Sequence, residues 1–219
     1  MIIDVYADIV CPWCYIGARR LEQAIAQRPQ LEIERRWQPF KLQPEMPAGG
    51  KPWATFADEK FGGVARAKAA FDQVTRVGAT DGLDFRFDRV ASAPNTVDAH
   101  RLVLFAAQHD RQWRMANALF AAYFTDGRNL NDEEQLIQIA QSVDLDADAV
   151  RTYLRSNTDR TLVEQSQMRA YQHGVNSVPH YVFDNQWALV GAQPVDVLLE
   201  ALDYVEAARS SHNRGVAIV

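Results

Sequence analysis

The chain has 219 residues, of which 47% are hydrophobic and 23% charged, the balance of a folded domain rather than a disordered chain. A net charge of -5 argues against a nucleic-acid partner, which needs clustered Lys and Arg; Arg19-Arg20 and Arg35-Arg36 are local and read as solvated faces. With only two cysteines there is no disulfide scaffold. No segment approaches the ~20 apolar residues of a membrane span, and no basic stretch of a secretory signal precedes the first apolar run, so a cytoplasmic protein is expected.

Ile2 to Val10 reads as a buried strand, broken only by Asp4 and Asp8. A helix follows from Pro12 to Gln27, with Pro12 at a first-turn position where its missing N–H costs nothing. Leu31 to Phe40 alternates apolar and polar residues as a second strand does, and two strands joined by a helix predict a parallel, right-handed βαβ unit. Lys41 to Pro52 is proline-rich and reads as a loop. From Trp53 the periodicity is helical for roughly a hundred residues, interrupted by an extended piece at Leu83 to Phe87. Asn131 and Glu134 have the spacing of a capping box. A further helix runs from Asp159 to a stop at Gly174. His180 to Asp184 and Trp187 to Val190 form a hairpin candidate around Asn185-Gln186, and Pro194 opens a last amphipathic helix. The order is βαβ, a helical block, then αββα. That is α/β, a thioredoxin-like fold with a large all-helical domain inserted between its halves. The expected domains are 1–45 with 156–209, an insertion at 46–155, and an aperiodic tail at 210–219.

The chemistry concentrates at Cys11-Pro12-Trp13-Cys14, between the first strand and the first helix. A redox cysteine attacks as its thiolate, and the unpaired N–H groups of a helix start favour an anion there. Cys11 sits at that start, on the more exposed side. Cys14 lies about one turn on, so the two sulfurs can face each other. The reading is Cys11 as nucleophile and Cys14 as resolving thiol. Pro12 removes one N–H donor, and Trp13 places a large ring beside the sulfurs. Asp8 is either a solvated carboxylate at the strand end or, if buried, a group that disfavours a thiolate or accepts the Cys14 proton.

A metal knuckle would need two more ligands, and His100, His109, His173, His180 and His212 are too scattered to supply them, so no metal is expected. Asp144, Asp146 and Asp148 imitate a calcium loop, but Ala149 and Arg155 stand where Gly and Glu are required.

The chain resembles the DsbA family of thioredoxin-like oxidoreductases, and within it the cytoplasmic FrnE-like branch. The resemblance is carried by Asp8-Ile9-Val10-Cys11-Pro12-Trp13-Cys14-Tyr15-Ile16-Gly17, by Asn95-Thr96-Val97-Asp98-Ala99-His100-Arg101, by Gly174-Val175-Asn176-Ser177-Val178-Pro179 and by Gly191-Ala192-Gln193. Weaker echoes are Trp37-Gln38-Pro39-Phe40, Lys60-Phe61-Gly62 and Gly82-Leu83-Asp84-Phe85. Ser177 stands where the family usually has Gly. The resemblance implies that Pro179 is a cis proline facing the thiol pair, with the backbone of Val178 open to an extended substrate segment. It also implies that Asn95 and His100 lie on a helix bordering the groove, as alternatives to a plain N-cap and a satisfied helix histidine.

Three functions follow as expectations. The first is a thiol–disulfide oxidoreductase, a reductase or isomerase, acting on a disulfide-containing protein or small molecule. It binds no cofactor and uses glutathione or another thiol as redox partner. The second is a glutathione-dependent isomerase or transferase of the kappa-class or hydroxychromene carboxylate isomerase type, against which retention of both cysteines argues. The third is a chaperone-like binding protein using the helical domain and Trp13. Oligomeric state and redox direction are left open.

Overall fold

The computed structural model describes residues 1–214. Its main sheet has four strands in the order β2-β1-β5-β6: β1 (Ile2–Ala7), β2 (Glu34–Pro39), β5 (His180–Phe183) and β6 (Trp187–Val190). β1 is central, parallel to β2 and antiparallel to β5. Its inward residues Ile3, Val5 and Ala7 are almost fully buried, which is why the run is apolar despite Asp4. A two-stranded ladder, β3 (Lys51–Pro52) with β4 (Ser92–Ala93), ties the proline-rich loop to the helical block.

α1 (Pro12–Ala26) crosses from β1 to β2 and buries Cys14, Gly17, Ala18, Leu21 and Ala24, one stripe at helical spacing. The helical block comprises α2 (Trp53–Phe61), α3 (Val64–Thr80), α4 (Val97–Ala107), α5 (Gln112–Phe124), α6 (Glu133–Gln141) and α7 (Ala147–Arg155). α8 (Arg160–Gln172) leads to β5, and α9 (Val195–Arg214) is the last element of the described residues. One hydrophobic core runs from the sheet into the helices. Aromatic rings bridge the two: Tyr15 of α1 stacks on Phe120 of α5 at 5.0 Å, and Trp37 of β2 meets Trp113 and Phe120 edge-on.

Several elements differ from their sequence-based bounds. β1 stops at Ala7, because the chain turns there and the Cys11 N–H donates to the Asp8 carbonyl at 3.1 Å. β2 starts at Glu34 rather than Leu31. Leu83 to Arg86 form no strand, and Phe87–Arg89 is a 3-10 turn. Asp132, not Asn131, caps α6, its carboxylate accepting the N–H groups of Glu134 and Gln135; Asn131 accepts the Asn95 N–H instead. Arg20 and Arg36 are not simply solvated: Arg20 binds Asp81 and the Ala192 carbonyl, and Arg36 grips Asp4 with two bonds. The tail expected from Ser210 is helical as far as Arg214; residues 215–219 lie outside the described residues.

Candidate active site

The thiol pair sits where three chain segments converge. β1 delivers the chain to a turn at residues 8–10, Cys11 takes the N-cap position of α1, and Pro12 is its first residue. Tyr6–His180 is the last pair of the β1–β5 ladder, so the segment entering β5 through Val178-Pro179 passes beside the turn that leaves β1. The Val178–Pro179 peptide is cis, and the Val178 carbonyl oxygen lies 3.8 Å from Cys11 Sγ. The Gly191 N–H donates to the Pro179 carbonyl at 2.8 Å, so Gly191, at φ +86°, braces that segment from behind.

Both cysteines are free and buried. Cys11 is only 4% exposed and Cys14 2%, so Cys11 is scarcely the more exposed of the two; the 178–179 segment covers it. Burial pushes the Cys14 thiol well above its ordinary value. Cys11 and the Asp8 carboxylate add to that rise, while an Asp8 backbone hydrogen bond opposes it.

Asp8 is fully buried beneath the pair. Its Oδ2 accepts the Leu42 N–H at 2.7 Å, and its Oδ1 lies 3.3 Å from His100 Nε2. His100, on α4 and also fully buried, accepts the Trp37 indole N–H at its Nδ1, 3.1 Å away. An indole nitrogen only donates, so the His100 ring proton belongs on Nε2, facing Asp8. His100 therefore sits under the site rather than on a groove wall. Asn95 precedes α4. Its side chain accepts the Val97 N–H and donates to the Met46 carbonyl, which anchors the 42–52 loop and makes no contact with the thiols. Pro12 and Trp13 are half-buried, Pro12 facing the helical block and Trp13 packed on the core.

Sequence reasoning passed over four contributors. Trp37 and the Leu42 backbone complete the Asp8–His100 network, and only the Trp37-Gln38-Pro39-Phe40 echo hinted at the first. Tyr181 is fully buried, with its hydroxyl against α1 at Gly17, where an added Cβ would overlap it. Burial, then the charges of Cys14 and Cys11, raise its phenol pKa. Tyr123 is likewise pushed up by burial and by Asp8, and its hydroxyl donates to the Ser92 carbonyl.

The arrangement joins a dithiol at a helix start, a carbonyl edge across from it and a buried carboxylate beneath. The chain as a whole is similar to several known proteins. The crystal structure of a probable DsbA oxidoreductase from Streptomyces coelicolor is 32% identical, covers 94% of this chain and 90% of its own, and superposes with a TM-score of 0.84. The 2-hydroxychromene-2-carboxylate isomerase of Sphingobium xenophagum is 24% identical over 184 residues, which is 84% of this chain and 89% of that protein. The cytosolic disulfide reductase DsbM from Pseudomonas aeruginosa, solved with GSH, shares the fold at 17% identity and a TM-score of 0.68, covering 94% of this chain and 100% of its own. The model of the DSBA-like thioredoxin domain matches residues 2–203. The chain thus belongs to the DSBA-like thioredoxin domain family of thiol–disulfide oxidoreductases.

Proposed function

We propose that the protein is a dithiol–disulfide reductase or isomerase in which Cys11 attacks and Cys14 resolves. The observation that carries this reading is the position of Cys11 Sγ, at the start of α1 and facing the Val178 carbonyl, with Cys14 sealed behind it. The Cys11 thiolate attacks one sulfur of a substrate disulfide, forms a mixed disulfide and releases the other half as a thiolate. An extended substrate segment pairs with the backbone at Val178 in the manner of strand addition. Cys14, held protonated by burial, then gives its proton to Asp8 and attacks Cys11 Sγ. The substrate leaves as two thiols and the enzyme as a Cys11–Cys14 disulfide. Two equivalents of a thiol such as glutathione restore the dithiol and become the corresponding disulfide.

A cytoplasmic setting, with its reducing thiol pools, suits this direction, and the cytosolic reductase DsbM solved with GSH supports it. Among the described residues no helix is long and apolar enough to cross a membrane. The isomerase relative favours a second reading, glutathione-dependent isomerisation at the same site. The retained Cys11 and Cys14 favour exchange.

The test is turnover of a small disulfide with glutathione, together with mass spectrometry of trapped adducts. Cys11→Ser is expected to abolish turnover and Cys14→Ser to accumulate a Cys11-linked mixed disulfide. Undiminished turnover in Cys11→Ser would sink the exchange reading.

A further inference from the structure

Tyr181 stands in the middle of the sheet, paired with Val5 of β1 on one side and Leu189 of β6 on the other. Its side chain crosses to α1 and ends against Gly17. A Cβ on Gly17 would overlap the Tyr181 hydroxyl and come within 2.9 Å of Pro179 Cγ, so the hydroxyl fills the place of the side chain that Gly17 lacks, beside the cis proline. A helical side chain covers the turn before its own Cα, and the residue three back on the same face is Cys14. The hydroxyl therefore lies over the turn that carries Cys14. Burial raises the phenol pKa, and so do the charges of Cys14 and, after it, Cys11, which agrees with that placement. Arg20 opposes them, but its guanidinium is held by Asp81 and the Ala192 carbonyl.

Among the described residues this hydroxyl has no hydrogen-bond partner, although it is sealed from water. Such a group adds nothing to the fold that a phenylalanine ring would not add. It gains a partner when an anion forms next to it. During resolution that anion is Cys14 Sγ, charged from the moment Asp8 takes its proton until it bonds Cys11 Sγ. Burial is the main obstacle to ionising Cys14, and a donor on the sulfur anion offsets it.

We propose that Tyr181 is a further residue of the exchange reaction, its hydroxyl donating a hydrogen bond to the Cys14 thiolate while the Cys14–Cys11 disulfide forms. The phenol keeps its proton throughout. Asp8 receives the thiol proton, and the departing substrate sulfur takes the electron pair of the bond that breaks. The role in resolution rests on the exchange reading; the hydrogen bond to the Cys14 anion does not.

The test follows alkylation of Cys14 by iodoacetamide in the full-length Cys11→Ser protein, by intact-mass spectrometry from about pH 7 to pH 10. Adding Tyr181→Phe should move the rate profile up by about one pH unit, a tenfold loss of thiolate for one hydrogen bond to a charged group. On the rising limb the rate should fall only about threefold, because the more basic thiolate is the better nucleophile. Urea midpoints of the two proteins should agree, which separates a lost hydrogen bond from a loosened core. A profile that coincides with that of Cys11→Ser, or runs above it, overturns the assignment. In the dithiol protein, Tyr181→Phe should also slow, by about threefold, the unimolecular step that follows loading of Cys11 with 5-thio-2-nitrobenzoate. A dithiol protein that loads but shows no such step refutes the exchange reading and leaves the hydrogen bond, read in the single-thiol protein, standing.

Discussion

His100 Nε2 lies 3.3 Å from Asp8 Oδ1, and neither side chain reaches solvent. With Trp37 donating to the other ring nitrogen, the Nε2 proton faces the carboxylate in an electrostatic contact that falls short of hydrogen-bond geometry, while the Leu42 N–H holds Asp8 in place. Asp8→Asn keeps the shape and, with its oxygen on the Leu42 N–H, the hydrogen bond that Asp8 accepts, but removes the proton acceptor. Resolution of the mixed disulfide by Cys14, followed by stopped-flow, should slow by about 10²-fold, the usual scale of one acid–base contribution. Alkylation of Cys11 should change less than about threefold, since that step needs no proton at Asp8. An unchanged resolution rate would remove Asp8 from the mechanism.

Stability of the reduced protein should fall as pH rises above 9.0, the ordinary thiol value from which Cys14 is raised. The unfolded chain loses that proton near 9.0 while the folded protein keeps it. The unfolded state therefore binds fewer protons and gains stability relative to the fold. The contribution is fully present below 9.0 and is lost toward the higher folded value, with a slope of at most about 1.4 kcal/mol per pH unit for one proton. Urea midpoints between about pH 8 and pH 10 in Cys14→Ser should lack this part of the slope. Tyr123, Tyr153 and Tyr181, all pushed up by burial from 10.0, add their own loss above that pH in both proteins.

Gly17→Ala should cost about 1–3 kcal/mol, as overpacking in a full core does. A Cβ there overlaps the Tyr181 hydroxyl and comes within 2.9 Å of Pro179 Cγ. The Tyr181 hydroxyl is buried without a protein hydrogen-bond partner, so Tyr181→Phe alone should be close to neutral. In the double variant the two effects should couple, with Tyr181→Phe returning roughly 1 kcal/mol of the Gly17→Ala loss. Strict additivity in urea unfolding would show that the hydroxyl is not what excludes the methyl group.

Arg101 is fully buried on α4, and its guanidinium donates to the carbonyls of Tyr153, Leu154, Ser156 and Thr158 and to Asp98. It closes the C-terminal end of α7, whose last carbonyls have no partner in their own helix. Arg101→Met leaves those acceptors without their donor and should cost about 3–5 kcal/mol, read as a drop in the urea midpoint. Arg101→Lys should recover little of it, because an ammonium cannot fork to several carbonyls at once. Full recovery by Lys would mean that charge alone matters there.

Local signals were enough for the elements near the pair. Pro12 after a buried run and the hairpin of His180 to Val190 are short-range features that the chain states within a few residues, although the turn centres on Asp184 and Asn185, both at positive φ, one residue before the expected Asn185-Gln186. β1 and β2 are shorter than their sequence-based bounds because apolar or alternating residues continue past the point where ladder bonds stop. The cap of α6 shifted by one residue because Asn131 was taken by Asn95, a partner 36 positions away.

The amino-acid sequence by itself settled that a dithiol stands at the start of a helix after a buried strand, and that a second parallel strand and a later hairpin accompany it. Those follow from periodicity, from proline at a first helical turn and from two cysteines one turn apart. Burial of Asp8, its pairing with His100 and the Trp37 donor that sets the imidazole proton were decided only by the tertiary structure. So were the near-equal burial of Cys11 and Cys14 and the Tyr181 hydroxyl against Gly17. Each depends on side chains roughly 30 to 170 positions apart meeting at one point, and a polar residue carries the same letter whether packing seals it or leaves it in water.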